Sequence, residues 1–443
     1  MTFDELNLNR PLLNALTDLG FEHPTTIQQK AFSVVMSGRD VCGIAQTGTG
    51  KTFAYLLPIL RQMTFSKTRN PQLLILVPTR ELVVQVVQSV KELTPYMTLE
   101  VTGVYGGVNM NTQRLALENG TDIVVATPGR LYDLAVTGAL KLNGIKKLVI
   151  DEVDEMLNLG FRIQLKNILD LLPPKRQNLL FSATINEEVE ALMDTYFNNP
   201  ERIEAAPVGT PLANIVQKGY AVPNFHTKVN LLKWLLGKDK EMTKVLIFAG
   251  TKALADQLYE QLNKDFPEPA GVIHSNKEQN HRFNTVNQFQ NGIYRFIIAT
   301  DIIARGLDIS EVSHVINFDT PEEPANYIHR IGRTGRKDKA GISITFILEK
   351  EKAFQEQIET LMDFRIPMEA LPEDLEISTE LTEDEKPKVY MKPPAVRLPK
   401  MYDGGGAFHE KSEKNRKVNA KVSHKDKMMQ KYGKPKTRGA KKK

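Results

Sequence analysis

Cysteine is nearly absent, with one residue, Cys42, in a chain of 443. That excludes an internal disulfide framework and any cysteine-based zinc site, and it suits a reducing compartment with Cys42 as a small core residue. The N-terminus lacks the charged, then apolar, then small-residue order of a secretory signal. Long apolar runs are missing too. Even Leu82-Val83-Val84-Gln85-Val86-Val87 is cut by Gln85, so no stretch spans a bilayer as a helix. A cytoplasmic location is the expectation. What remains is the composition of a globular protein, 41% hydrophobic and 25% charged, long enough for two domains of ordinary size.

Charge is spread unevenly. Residues 386–443 hold 19 Lys and Arg against 4 Asp and Glu, a net of +15, whereas the preceding residues, with 39 and 49, carry −10. The basic stretch contains Gly404-Gly405-Gly406, several prolines and little apolar periodicity, which predicts a disordered tail. An acidic stretch, 367–385, connects it to the body. The tail reads either as a solvated arm or as one that adds nonspecific affinity for nucleic-acid phosphates.

Within the body, short apolar runs alternate with helical patterns. Leu73–Val77, Ile123–Ala126, Leu148–Ile150 and Leu179–Phe181 read as buried strands, and Thr79–Leu93 and Glu187–Phe197 as helices. Such alternation predicts an α/β fold with a parallel sheet flanked by helices. The pattern restarts at Lys244–Ala249 and continues through Phe296–Ala299 and His314–Asn317. The expected organisation is a first domain over 1–205, a linker over 206–222 around Pro207 and Pro211, and a second domain over 223–366.

The run Ala45-Gln46-Thr47-Gly48-Thr49-Gly50-Lys51-Thr52 follows the apolar Val41–Ile44 and precedes a helical Phe53–Leu57. A strand, glycine-rich loop and helix in that order form a phosphate cradle: backbone N–H groups turn inward and the helix N-terminus favours negative charge. Lys51 would reach the β- and γ-phosphates and the Thr52 hydroxyl would hold Mg²⁺. Ala45 stands where the general pattern has its first glycine, which leaves a functionless turn as the alternative. Asp151-Glu152-Val153-Asp154 directly follows the apolar Leu148-Val149-Ile150. Ligands of open parallel sheets sit beyond the carboxyl ends of the strands, so this cluster and the loop can converge. Asp151 suits Mg²⁺, largely through water, and Glu152 suits orientation or deprotonation of an attacking water. A solvated acidic loop is the plain alternative.

With these motifs the sequence resembles the DEAD-box RNA helicases, which have two tandem RecA-like domains, and it is similar to their bacterial members. Gly20–Gln28 resembles the family's Q motif, with Phe3 as the upstream aromatic. The resemblance implies that Gln28 reads the adenine edge while Phe3 and Phe21 pack at the base. Pro78-Thr79-Arg80-Glu81-Leu82, Gly106-Gly107 and Thr127-Pro128-Gly129-Arg130 resemble RNA-backbone elements, which assigns Thr79, Arg80, Gly107, Thr127, Gly129 and Arg130 to RNA. In the second domain Arg282, Thr300 and Asp301 are implied to face RNA, and Gly306 and Asp308 to face ATP. Ser182-Ala183-Thr184 resembles the motif linking hydrolysis to strand separation, so Asp154, Ser182, Thr184 and His329 are implied to couple the sites. Arg333 and Arg336, in the run His329–Arg336, are implied arginine fingers. Ala45 fits the helicase version of the loop, so the departure there disappears.

Some positions depart from the family pattern. Val153 replaces the usual Ala of the name-giving tetrapeptide, Thr26 a usual Pro, and Ile302-Ile303 smaller residues. None touches Lys51, Asp151, Glu152 or the two arginines. The function implied is ATP-dependent unwinding or remodelling of RNA, gripping backbone rather than bases. An ATP-gated RNA clamp or annealing factor, and a DNA-directed motor of the same superfamily, are the alternatives.

Overall fold

The computed structural model describes residues 1–45, 49–63, 70–204, 214–266, 270–301, 309, 312–335, 340–382, 385–386 and 423–433. Seven strands form a first sheet: β1 (Val41–Ile44), β2 (Leu73–Leu76), β3 (Val101–Val104), β4 (Ile123–Ala126), β5 (Lys147–Asp151), β6 (Gln177–Ser182) and β7 (Glu201–Glu204). Seven more form a second: β8 (Ile215–Ala221), β9 (Val245–Phe248), β10 (Ala270–Ile273), β11 (Phe296–Ala299), β12 (His314–Asn317), β13 (Gly341–Ile347) and β14 (Met368–Glu369). The orders are β3-β4-β2-β5-β6-β1-β7 and β10-β11-β9-β12-β13-β8-β14, so the second sheet repeats the connectivity of the first strand for strand. The strand pairings within both are parallel. Tandem RecA-like folding is therefore a structural duplication that the sequence itself does not display as a repeat.

Helices cover both faces, which is why β1, β2 and β4 read as unbroken apolar runs. One face of the first sheet carries Val41, Leu73, Ile75, Val149 and Phe181, and the other carries Cys42, Leu74, Leu76, Leu148 and Leu180. Cys42 is a buried free thiol, as its position in an apolar strand predicts. No helix among the described residues is long and apolar enough to cross a membrane.

Two boundaries differ from the sequence reading. The 206–222 segment does not run as linker to its end, because Ile215–Ala221 pairs along its whole length with Gly341–Ile347 inside the second sheet. The described residues of the acidic 367–385 stretch, read as a connector, are fastened to the second sheet's flank. Leu375 is buried, and Asp374 accepts hydrogen bonds from Trp234 Nε1 (2.9 Å) and Lys238 Nζ (3.2 Å). Ser378 bonds Thr227 and Asn224, and Glu385 accepts from the Phe225 N–H at 2.7 Å. Its carboxylates thus cap and pair with the Phe225–Lys238 helix. Of the basic tail, residues 423–433 are described, and they contain a helix, His424–Tyr432, whose N-cap Ser423 Oγ accepts from the Asp426 N–H.

Candidate functional site

In the first sheet β6 lies between β1 and β5, so the carboxyl ends of all three strands are neighbours. Ala45, just past β1, donates its N–H to the Ser182 carbonyl at the end of β6, 3.0 Å away. Gly50 takes φ +89°, a conformation that L side chains rarely adopt, and turns the chain into the Lys51–Gln62 helix. Lys51 is the first residue of that helix. It is buried, and its Nζ makes no hydrogen bond within the described residues. Asp151 is buried opposite. Its Oδ2 accepts a hydrogen bond from the Tyr55 hydroxyl at 3.1 Å, and its Oδ1 has no partner among the described residues. Burial pushes the Asp151 carboxyl above its ordinary range, only partly offset by the Lys51 charge and the Tyr55 hydrogen bond. A buried ammonium and a buried carboxylate oxygen, both without a hydrogen-bond partner among the described residues, make a polar cradle that suits a phosphate and a cation.

Glu152 follows in the left-handed region (φ 54°, ψ 51°), uncommon for a residue with a side chain. The surrounding fold imposes it, switching the chain from β5 into the Val153–Asn158 helix within one residue. Asp154 is thereby brought to β6, where its Oδ2 accepts from the Thr184 N–H (3.2 Å) and hydroxyl (2.9 Å). His329, from the second sheet's side, places Nε2 3.8 Å from the same oxygen, with both side chains 4% exposed. Burial would raise the Asp154 carboxyl, but the His329 imidazole, the Lys51 charge and the Ser182 hydroxyl outweigh it and hold it below the usual carboxylate range. Asp154, Ser182, Thr184 and His329 therefore form one network, buried except at the half-buried Thr184. Arg333, one turn beyond His329, is buried as well. Val153 fits where a smaller residue is usual, wholly buried among the second core face.

Gln28 spends its amide on the loop. Its Oε1 accepts from the Thr25 N–H at 2.9 Å and its Nε2 donates to the Gly50 carbonyl at 3.2 Å. Phe21 is exposed and lies edge-on to Phe53, ring centres 5.4 Å apart. Phe3 is buried in the core, and its N–H bonds the Glu22 carbonyl, so it braces the Phe21 loop instead of offering an open ring.

Six of the RNA candidates line a cleft of about 390 Å³: Thr79, Arg80, Thr127, Gly129 and Arg130 from the first sheet's side and Arg282 from the second's. Thr79 is spent as a helix cap, accepting from the Leu82 N–H, whereas Thr127 forms no side-chain capping bond. Arg130 is held by the Val108 carbonyl and Gln113 Oε1. At Gly107 (φ +83°) a Cβ would fall 1.9 Å from Arg80 Nη1, so the missing side chain is what seats the guanidinium.

Two of the residues expected to face RNA already hold protein partners. Arg282, expected to face RNA, is paired with Glu81 at 2.8 Å with side chains 7% and 3% exposed, and Gln279 Nε2 also donates to Glu81 at 3.0 Å. Its charge bridges the two halves of the cleft, leaving only an edge toward the opening. Asp301, expected likewise, is gripped in bidentate fashion by Arg330 at 2.5 and 2.7 Å. Thr300 is buried and its N–H bonds the Ile273 carbonyl. Gln46, Thr47, Gly48, Gly306, Asp308 and Arg336 lie outside the described residues. Tyr55, Glu81 and Arg330 are the residues whose roles sequence reasoning did not single out. Glu81 sits in plain view inside the Pro-Thr-Arg-Glu-Leu string, but Tyr55 reads only as one more apolar helix position.

Comparisons with known proteins agree with this geometry. The family model described as DEAD/DEAH box helicase matches residues 25–192, and the one described as helicase conserved C-terminal domain matches 227–338. The chain is 35% identical to ATP-dependent RNA helicase RhlB of Shewanella frigidimarina, across 93% of this chain and 95% of the relative. It is 42% identical to DEAD-box ATP-dependent RNA helicase 24 of Oryza sativa subsp. japonica over 77% of this chain, and spans 45% of that protein's length. Among solved structures, S. cerevisiae Dbp5 bound to RNA and ADP BeF3 superposes with a TM-score of 0.75 at 29% identity, covering 84% of this chain and 96% of Dbp5.

Proposed function

Because this chain belongs to the DEAD/DEAH box helicase family, we propose that it is an ATP-dependent RNA helicase, an RNA-stimulated ATPase that locally unwinds or remodels RNA duplexes and ribonucleoproteins. The observation that carries the reading is the His329–Asp154–Thr184 network. It joins the residue three after Asp151 to the end of β6 and to the second sheet's side, so that nucleotide state and domain arrangement share one set of contacts.

In this reading Lys51 binds the β- and γ-phosphates of ATP, and Gln28 and Phe21 bound the adenine end. Glu152 orients the attacking water and accepts its proton. Arg333 and Arg336 approach the γ-phosphoryl group when the domains close, stabilising charge that is greatest in the transition state. The residues present fit a magnesium ion: Thr52 and Asp151, with its unspent Oδ1, would hold it. Bound there, Mg²⁺ would neutralise phosphate charge. Thr127, Gly129, Arg130 and Arg80 contact RNA backbone from the first domain, giving affinity with little sequence preference. The basic tail adds nonspecific RNA affinity.

The test is a strand-displacement assay on a short RNA duplex, with ATPase measured in parallel. Wild type should unwind with ATP, and RNA rather than DNA should stimulate turnover. Lys51→Ala should lose both activities. RNA-stimulated turnover retained in Lys51→Ala would sink the assignment, and stimulation by DNA alone would favour a DNA-directed motor.

A further inference from the structure

We propose that Tyr55 is a positioning residue for the metal-binding carboxylate: its phenol fixes one oxygen of Asp151 and leaves the other for the cation. The inference rests on the reading of Asp151 and Thr52 as the magnesium-holding pair. Tyr55 lies one turn into the helix that begins at Lys51 and is fully buried. Its ring packs on Phe181, centres 5.3 Å apart, a contact that a phenylalanine would make equally well. The hydroxyl is what packing does not account for, since a buried O–H must be satisfied to be tolerated. It donates to Asp151 Oδ2 at 3.1 Å. The phenol therefore holds the carboxylate assigned to the cation from inside the core.

Direction agrees with that role. With Oδ2 held, Oδ1 has no competing partner among the described residues. Groups that orient a metal ligand from outside typically govern metal affinity by about 10- to 100-fold.

The experiment compares wild type with Tyr55→Phe, which keeps the ring and removes only the hydroxyl. Binding of a fluorescent ATP analogue is titrated first in EDTA, then against Mg²⁺, with Mn²⁺ affinity in the presence of the analogue read by electron paramagnetic resonance. The expected result is unchanged affinity in EDTA and a roughly tenfold or larger rise in the half-saturating Mg²⁺ and Mn²⁺ concentrations. In an Asp151→Asn background the same Tyr55→Phe change should have no further effect on either titration, because the hydroxyl acts through Asp151. Equal metal titrations for wild type and Tyr55→Phe would overturn the proposal and leave Tyr55 as packing. Equal loss of affinity with and without metal would also overturn it, since that is the signature of a disturbed loop. A wild-type protein whose analogue binding ignores Mg²⁺ would instead overturn the assignment of Asp151 and Thr52 themselves.

Discussion

Glu81 holds two groups of the opposite half of the cleft at once, Arg282 at 2.8 Å and Gln279 at 3.0 Å, and only 3% of its side chain is exposed. Replacing it with alanine removes two charge-assisted hydrogen bonds, one from a guanidinium and one from an amide. Arg282 is then left buried, with its Nε already lacking a partner among the described residues. Hydrogen bonds to charged groups contribute about 1.5–3 kcal/mol each. Arg282 borders the cleft and can recover part of its hydration there, so we take about 1.5–3 kcal/mol for the pair of losses. That cost falls on the joined arrangement of the domains and not on the fold of either, because a separated Arg282 is solvated. The expected outcome is a roughly 10- to 100-fold weaker binding of single-stranded RNA in the presence of a non-hydrolysable ATP analogue, with little change in its absence. Fluorescence anisotropy of a labelled oligonucleotide measures both. Arg282→Ala should behave alike, and the double variant should be no worse than either single one. Full additivity of the two changes, or equal weakening with and without the analogue, would refute the reasoning.

Arg333→Ala should bind ATP within a few-fold of wild type yet hydrolyse it at least about 10³-fold more slowly, as measured by single-turnover kinetics, because a group acting on the transition state leaves ground-state binding intact. The two acids of the site should give opposite pH signatures in thermal melts without nucleotide. Asp154 is held below its ordinary range, so its stabilisation is present above about pH 4 and lost on acidification, and Asp154→Asn should flatten that fall. Asp151 is raised, so its ionised form costs stability as pH climbs through its folded-state value, and Asp151→Asn should melt higher than wild type near neutrality. Truncation after Glu385 removes a net charge of +15 and should flatten the log–log salt dependence of RNA binding, by about 0.7 per lost phosphate contact, while sparing ATPase at saturating RNA.

The strands that sequence reasoning found are those whose burial is complete. Leu73–Leu76, Ile123–Ala126 and Val245–Phe248 are covered on both faces and flanked on both sides, and nothing in them is polar. The strands it passed over lie mainly at sheet edges. Val101–Val104 and Ala270–Ile273 carry threonine or glycine where an interior strand would carry a branched apolar side chain. Ile215–Ala221 alternates buried and open positions and reads as linker, because only the two-residue β14 lies beyond it. Gly341–Ile347 is an interior strand hidden for another reason. Its Ser343 and Thr345 break the apolar run, and both accept hydrogen bonds from the buried Asn317 amide (3.4 and 3.1 Å). Polar residues that satisfy each other inside a core look, in one dimension, like a loop.

The site was legible to the extent that its chemistry is carried by short contiguous strings. Lys51, Asp151, Asp154 and Thr184 stand at the ends of adjacent strands, and strand order alone brings them together. What one dimension could not supply is which charges are already spent. Arg282 and Asp301 have the right chemistry for RNA, yet each is committed to a partner, Glu81 in one case and Arg330 in the other, far along the chain. Lys51 Nζ and Asp151 Oδ1 are the reverse, buried groups with nothing to bond among the described residues. Leaving a charge unpaired in a core costs more than pairing it, so a fold retains such groups only where a ligand completes them. By that criterion the nucleotide end of the cleft is the part held in readiness. The pairs at Glu81 and Asp301 are structural commitments that ligand binding has either to exploit or to break.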